Sequence, residues 1–164
     1  MGVRRRGREY ALQMLFAIDI TEYQPDEVFA GYHAIQDLNR DAFTNACRVV
    51  EGIYGCLDEI DALLTKYARR WKISRMAVVD RNLLRLGIYE IKYLPDVPLP
   101  VILNEALDIC REFSEADSAP FIKGILESAC RDLRPEEASR KAAKKKQEER
   151  QEHQDEVALE ADNS

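Results

Sequence analysis

Apolar residues recur along this chain at intervals of three and four, the spacing that places side chains on one face of an α-helix. The first such segment lies within residues 4–20, and only a narrow polar strip with Glu9 and Gln13 interrupts its apolar surface. A helix this apolar is normally buried among other helices. Its apolar positions are Ala11, Leu12, Met14, Leu15, Phe16 and Ile18. The pattern predicts a central helix that ends near Thr21.

Three further helices are predicted before residue 75. Pro25 marks a restart, because proline is favoured at the first position of a helix. Asn39 begins the next segment, and Gly52 and Gly55 weaken the definition of its end. The predicted spans are Pro25 to about Leu38, Asn39 to about Tyr54, and Leu57 to Trp71.

The fifth predicted helix, from about Met76 to Leu94, is the longest unbroken apolar segment. Glu90 falls on its apolar side, between Leu83 and Leu86. An unpaired buried carboxylate is costly, so Glu90 needs a cationic or N–H partner. We expect that partner to be an arginine from the first ten residues.

The remaining helices follow a proline-rich connector at residues 95–100, which cannot be helical throughout. A sixth helix ends near Phe113, and Ser118 with Pro120 indicates the start of a seventh, which ends at Arg134. The chain has no alternating strand pattern and no tandem repeat. These elements predict an all-α fold of seven helices.

The composition changes at Glu136. Residues 136–164 hold six Lys or Arg against nine Asp or Glu, and Val157 and Leu159 are their only aliphatic residues larger than alanine. Such a segment is either a solvated helix with charge pairs at i, i+4 or a disordered chain. The composition favours disorder over most of it. We therefore expect one folded domain at residues 1–135 and a charged, largely disordered tail at 136–164.

Charge is unevenly distributed along the 164 residues. The net charge is −6, yet residues 1–10 carry four arginines against one glutamate, and residues 65–76 carry five cations and no acid. A globally acidic protein with two local basic clusters indicates a localised anionic partner. The alternative is that these runs are merely solvated, as short basic runs often are.

Several classes of protein fit this sequence poorly. The four cysteines form no C-x-x-C pair and the two histidines are distant from them, which argues against a metal site. No apolar run approaches the ~18 residues of a membrane span, and no signal peptide follows the N-terminal arginines. Familiar catalytic and nucleotide-binding motifs are missing. We expect a cytoplasmic binding protein that uses no cofactor and is not an enzyme.

RNA is the partner that the basic clusters favour. Arginine makes bidentate contacts to phosphate and guanine, and flat rings stack on unpaired bases. Tyr10, Tyr67 and Trp71 lie among the cations and could supply those rings. The same three aromatic residues also lie beside apolar positions, so a place in the core stays open for each.

Three blocks of this chain resemble the NusB family of transcription antitermination factors. They are RRRGREYALQMLF from Arg4, DRNLLRLGIYEIKYLPDVPLPVILNEALDICREF from Asp80, and DSAPFIKGILE from Asp117. The resemblance covers about residues 3–135. It implies a bundle of seven helices in two helical subdomains. It also implies binding of the boxA element of nascent RNA together with NusE, a small-subunit ribosomal protein, in the RNA polymerase antitermination complex, notably in rRNA operons.

The resemblance also implies roles for individual residues. Phe16 and Asp80 would face NusE. The RNA contacts would be Arg4, Arg5, Arg6, Arg8, Gln13, Tyr67, Asp117 and Phe121. The chain departs from the family at Phe16, where tyrosine is frequent, and at Lys123, where asparagine is usual. Whether Lys123 and the basic block Arg69–Arg75 contact RNA stays open.

Two other interpretations are kept beside this one. The chain could be a protein-interaction scaffold with no direct role on RNA, its basic clusters serving acidic protein surfaces. It could also be the RNA-recruiting domain of an RNA methyltransferase, which we disfavour because no catalytic domain follows. A homodimer is possible, since an apolar surface that awaits a partner could also join two copies.

Overall fold

The computed structural model describes residues 2–35 and 37–162, and within them it forms eight α-helices and one short 3₁₀ helix, Ile73–Arg75. The helices are α1 (Val3–Thr21), α2 (Pro25–Tyr32), α3 (Arg40–Gly55), α4 (Leu57–Tyr67), α5 (Val78–Tyr93), α6 (Leu99–Phe113), α7 (Ser118–Leu133) and α8 (Pro135–Asp162). The all-α prediction is confirmed. Helices α1–α7 correspond to the seven predicted helices, and α8 is additional.

Local capping explains where the early helices begin. Pro25 is the first residue of α2, and the carboxylate of Glu27 accepts a hydrogen bond from the Gln24 amide at 2.7 Å. The Asn39 side chain accepts from the Ala42 amide at 3.0 Å and caps α3. Because Asn39 has the extended backbone of a cap, α2 cannot continue into α3, and it ends well before the predicted Leu38. Gln36, within the predicted span, lies outside the described residues.

The core is divided into two clusters, which matches the implied pair of helical subdomains. One cluster is built mainly from α1, α2 and α3, and the other mainly from α4 to α7. Helix α5 joins them, since Leu86 belongs to the first cluster and Tyr89 packs against both. The Tyr89 ring crosses α3 at Gly52, where a Cβ atom would lie 2.0 Å from the Tyr89 hydroxyl oxygen. Glycine at this position therefore allows the two subdomains to approach closely.

A partly buried ionic network ties the C-terminal end of α1 to α5. The Asp19 carboxylate accepts hydrogen bonds from Arg81 at 2.8 Å, from Asn82 at 3.0 Å and from Arg85 at 3.3 Å. Burial raises the pKa of Asp19, but the hydrogen bonds from Arg81 and Asn82 outweigh it and leave the pKa below its usual value. Asp19 therefore stays ionised, and the network fixes the orientation of α1 on the bundle.

The tail differs from its prediction, because the structure forms helix α8 where composition favoured disorder. Alanine, lysine, glutamate, glutamine and arginine are strong helix formers, and Lys144–Glu148 and Lys145–Glu149 pair at 3.7 and 3.8 Å. The start of α8 contacts the bundle through Ala138, which packs against the second core cluster, and through Glu137, whose carboxylate accepts from the backbone N–H of Leu99 at 2.8 Å. The division into residues 1–135 and 136–164 stays a prediction. Among the described helices, none has the length and apolar character needed to cross a membrane.

Candidate nucleic-acid interface

The N-terminal arginines lie in the first turns of α1 and are not part of a flexible arm. Helix α1 begins at Val3 after an extended Gly2, and its first turn contains no acidic residue. A helix N-terminus carries about half a positive charge from its unpaired N–H groups. This charge adds to that of Arg4, Arg5, Arg6 and Arg8. The N-terminal end of α1 can therefore bind an anion wherever its arginines are not already paired with carboxylates.

Arg8 forms the buried ion pair that the sequence predicts for Glu90, and that prediction is confirmed. Its Nε lies 2.9 Å from Glu90 Oε1, its Nη2 lies 2.8 Å from the same oxygen, and the two side chains are 9% and 7% exposed. The Arg8 guanidinium is thus mostly buried, and its Nε and Nη2 are engaged by Glu90. Its expected role as an RNA contact finds no support in this arrangement, because the buried pairing leaves little of the guanidinium accessible to a phosphate.

The other three arginines differ from Arg8 in their exposure and in their ion pairing. Arg5 is half-buried and pairs with Glu105 and with Asp108, the latter at 2.8 Å. Arg4 is exposed and Arg6 is half-buried, and neither has an ion-pair partner within residues 2–35 and 37–162. Arg4 and Arg6 are therefore the cations of α1 best placed for an external anion, and Arg5 would first have to leave its carboxylates.

Two further polar residues extend the surface around these arginines. Arg48 of α3, which the sequence did not single out, lines an open cleft of about 300 Å³ together with Arg4. Gln13 is exposed on α1 and accepts a weak hydrogen bond of 3.4 Å from the Tyr32 hydroxyl. Arg48 could be identified as part of this surface only from the fold, because it does not belong to a basic cluster in the sequence.

Tyr67 and Phe121 are far apart in the sequence, and the structure brings them together in one open groove of about 740 Å³ between the end of α4 and α7. Among the described residues, none from α1 lines this groove. The groove and the arginine end of α1 are therefore separate parts of the predicted interface. The groove is lined by Lys66, Tyr67, Ala68, Arg69, Arg70, Trp71, Pro120, Phe121, Gly124, Ile125, Ser128, Arg131 and Asp132. We call it the α4–α7 groove.

Asp132 organises one side of the α4–α7 groove. Its carboxylate accepts hydrogen bonds from the Tyr67 hydroxyl at 2.6 Å and from Lys66 Nζ at 2.8 Å. Burial and the hydrogen bond to Asp132 raise the pKa of Tyr67, so its phenol stays neutral. The Tyr67 ring is thereby held in place as part of the groove wall. Arg131, in the last turn of α7, also lines the groove and was not singled out from the sequence.

The start of α7 presents the remaining predicted RNA contacts. Asp117 is exposed and caps no backbone N–H with its side chain, whereas Phe121 is half-buried at the groove. Lys123 is exposed on the same helix. Asp117 and Lys123 are accessible to an external partner, but neither lines the groove.

The two residues expected to face a protein partner differ in accessibility. Phe16 is 37% exposed on α1, and Ile20, one turn further, is 56% exposed. Asp80 is buried, and its carboxylate accepts hydrogen bonds from the hydroxyls of Ser118 at 2.8 Å and of Ser114. Asp80 therefore holds the turn between α6 and α7, and in this arrangement its carboxylate does not face a partner.

Glu9, which the sequence pattern placed on the narrow polar strip of α1, is buried in the structure. Its Oε1 is buried and has no hydrogen-bond partner among the described residues. Burial raises the pKa of Glu9, Glu112 adds to the increase, and Arg5 and Arg6 offset only part of it. The raised pKa means that the folded state loses stability as pH rises through it, because ionised Glu9 is poorly accommodated.

We expect Glu9→Gln to raise the free energy of unfolding at pH 7 by about 1 kcal/mol, since a buried, unsatisfied charged group is removed. The difference from wild type should shrink at pH 4, where Glu9 is already protonated. Urea unfolding at the two pH values measures both quantities. A loss of stability at pH 7 would instead mean that the carboxylate is stabilised by Arg5 and Arg6.

The chain matches the model of a known protein family, described as the NusB family, over residues 5–131. It is 39% identical over 131 residues to the transcription antitermination protein NusB of Myxococcus xanthus, covering 77% of this chain and 94% of that protein. It is 41% identical over 141 residues to the protein of the same name from Desulfatibacillum aliphaticivorans, covering 86% and 99%.

Solved structures of NusB proteins are similar to this chain in fold. NusB of T. maritima superposes with a TM-score of 0.74 at 30% identity, over 84% of this chain and 96% of the other. A chain from the crystal structure of the antitermination factors NusB and NusE in complex with dsRNA gives a TM-score of 0.70 at 25% identity, over 77% and 95%. The family match at residues 5–131 includes Arg5, Arg6 and Arg8 of α1 and every residue of the α4–α7 groove except Asp132.

Proposed function

The chain belongs to the NusB family, and from this membership we propose that it is an RNA-binding transcription antitermination factor. It binds boxA-like RNA together with NusE and helps RNA polymerase pass terminators, notably in rRNA operons. The structural relative solved with NusE and dsRNA supports both partners. Such a factor works on nascent RNA in the cytoplasm and carries out no catalysis of its own.

The observation that carries this proposal is the α4–α7 groove. It combines the aromatic rings of Tyr67, Trp71 and Phe121 with cations that include Arg69, Arg70 and Arg131. Rings that can stack on bases and guanidinium groups that can bind phosphates are the two components of single-stranded RNA recognition.

Helix α1 carries the second part of the proposed interface. Arg4 and Arg6 at its start bind RNA phosphates, Arg5 joins them when it exchanges its carboxylate partners for a phosphate, and Gln13 and Asp117 add polar contacts. Phe16 and Ile20, near the other end of α1, form an apolar surface that binds NusE. One rigid helix thus positions the RNA and the protein partner relative to each other. Arg8 holds this helix against α5, and Asp80 holds the turn between α6 and α7.

A titration of labelled boxA-like RNA with the full chain, with and without NusE and at two salt concentrations, tests the proposed function. We expect NusE to tighten RNA binding and the affinity to fall steeply as salt rises. Absence of RNA binding, both with and without NusE, would favour the protein-interaction scaffold.

We expect the double change Arg4→Ala and Arg6→Ala to flatten the salt dependence of RNA binding. Each lost phosphate contact lowers the magnitude of the log–log slope by about 0.7 for single-stranded RNA, so two contacts lower it by about 1.4. The matched control is Arg140→Ala with Lys146→Ala, two exposed cations of α8 that should leave the slope unchanged. An unchanged slope for the α1 variant would remove Arg4 and Arg6 from the RNA interface.

A further inference from the structure

Trp71, the single tryptophan of the chain, lies on the surface. The sequence pattern placed it at the end of the fourth helix, but α4 ends at Tyr67, and the chain turns before Trp71. Its side chain is 58% exposed, the largest exposure among the aromatic residues of the described chain. Leaving so large an apolar ring in water forgoes the stabilisation that burial would bring, on the order of 2 kcal/mol or more.

The Trp71 ring is held in a defined position by Phe121. The two ring centroids lie 5.1 Å apart and the planes meet at 74°, an edge-to-face arrangement. Such a pair is favourable and fixes the indole without covering both of its faces. The groove therefore contains a rigid, accessible aromatic surface beside the rings of Phe121 and Tyr67.

Three arginines close to Trp71 have no carboxylate partner among the described side chains. Arg69 and Arg70 precede it in the chain, and Arg131 faces it from α7. None of the three forms an ion pair with any residue whose side chain the structure describes, and the one acid of the groove, Asp132, is engaged by Lys66 and Tyr67. Three unpaired guanidinium groups beside an exposed indole create a site for a ligand with both negative charge and flat rings.

A second groove lies against the same loop. It has a volume of about 530 Å³ and is lined by Thr65 and by residues 68–74, of which Ala68, Arg69, Arg70 and Trp71 belong to both grooves. An RNA strand that occupies the α4–α7 groove can therefore continue past Trp71 into the second groove. The cation Lys72 lies along this continuation.

We propose that Trp71 is a stacking platform for one unpaired RNA base, with Arg69, Arg70 and Arg131 binding the phosphates on either side of that nucleotide. This inference rests on the proposed function and identifies the single-stranded part of the RNA that the α4–α7 groove takes. An unpaired base is required, because bases within a continuous A-form helix have no face available to a side chain. The platform adds a contact to those of Tyr67 and Phe121 and extends the RNA path beyond them.

Intrinsic fluorescence tests the proposal directly, since Trp71 is the only tryptophan. Full-length protein is titrated with single-stranded boxA-like RNA and, separately, with the same sequence in a blunt duplex, and binding is followed in parallel by the anisotropy of a label on the RNA. We expect single-stranded RNA to quench the tryptophan emission with the same dissociation constant that anisotropy gives. The duplex should leave the emission almost unchanged.

Variants add the energetic measurement. Trp71→Ala should weaken binding of the single strand by about 5- to 140-fold, the range expected for one stacked base. Trp71→Phe, which keeps a flat ring, should recover a large part of that loss. Tyr23→Ala is the matched control, because Tyr23 is a similarly exposed aromatic residue at 56% outside the groove, and it should bind as wild type does.

The outcomes separate this inference from the proposed function. Tight, salt-dependent RNA binding without quenching, equal quenching by the duplex, or unchanged affinity of Trp71→Ala would each overturn the role of Trp71 and leave the antitermination function intact. If the wild-type chain binds no RNA by anisotropy even when NusE is present, the proposed function itself fails. Because the quenching measurement uses the wild-type chain, the folding of a variant does not affect it.

Discussion

Glu90→Leu is expected to lower the free energy of unfolding by about 3–5 kcal/mol, the usual cost of breaking a buried ion pair. The substituted side chain would leave the Arg8 guanidinium without its only carboxylate among the described residues, in a position where it is 9% exposed. Leucine fills a similar volume, so the loss reports the unpaired charge and not a cavity. Urea unfolding followed by circular dichroism at pH 7 measures it.

The double variant Arg8→Met with Glu90→Leu provides the decisive comparison. Burial raises the pKa of Glu90 even though the Arg8 guanidinium lowers it, which means that desolvation outweighs the attraction between the two charges. Replacing both partners by apolar side chains therefore costs little and can stabilise the fold. We expect the double variant to lie within about 1 kcal/mol of wild type or above it. A double variant as unstable as Glu90→Leu would mean that the pair contributes more than it costs.

The same double variant also separates the structural role of Arg8 from a role on RNA. If Arg8 only holds α1 against α5, the folded double variant binds RNA with the affinity and salt slope of wild type. If Arg8 contacts a phosphate, the slope becomes shallower by about 0.7. The structure supports the first outcome, because both nitrogen atoms that face Glu90 lie within 3 Å of its carboxylate.

Periodicity in the sequence predicted a large part of this fold because each helix of the bundle buries one face. The apolar positions of α1, such as Met14 and Leu15, are fully buried, and the Pro25 and Asn39 starts follow from local capping chemistry. Pairing of Glu90 with an N-terminal arginine was also predictable, since a carboxylate on a buried face needs a cation. The sequence could not show which arginine, because that depends on the rotation of α1 against α5.

The surface is harder to predict, since exposure depends on where a helix ends. The pattern continued the fourth helix to Trp71, which left its place in the core open, whereas the end of α4 at Tyr67 puts Trp71 outside. Asp80 shows the opposite effect. The family resemblance implied an exposed partner contact, but the serine hydroxyls of the α6–α7 turn converge on Asp80, which is buried. Both differences arise from contacts between segments that are distant in the sequence.

The end of the bundle depends on one arginine whose importance the sequence does not reveal. Arg134 follows α7, and its guanidinium donates to the carbonyl oxygens of Glu90, Ile91, Leu94 and Val97 at 3.0, 2.6, 2.7 and 2.7 Å. The last carbonyls of a helix lack partners within that helix, so a cation there completes their hydrogen bonds and interacts favourably with the helix dipole. Arg134 thereby joins the ends of α5 and α7 and the connector that leads to α6.

Arg134→Met is therefore expected to lower the free energy of unfolding by about 3 kcal/mol. A hydrogen bond to a charged group contributes about 1.5–3 kcal/mol, but water can replace part of four such bonds at a helix end, so the contributions do not add in full. Arg140→Met on the exposed face of α8 is the matched control and should change stability by less than about 0.5 kcal/mol. Urea unfolding of both variants makes the comparison. If Arg134→Met loses no more than the control, hydration alone satisfies these carbonyls, and the connector before α6 is held by Glu137 and the apolar contacts of Leu99.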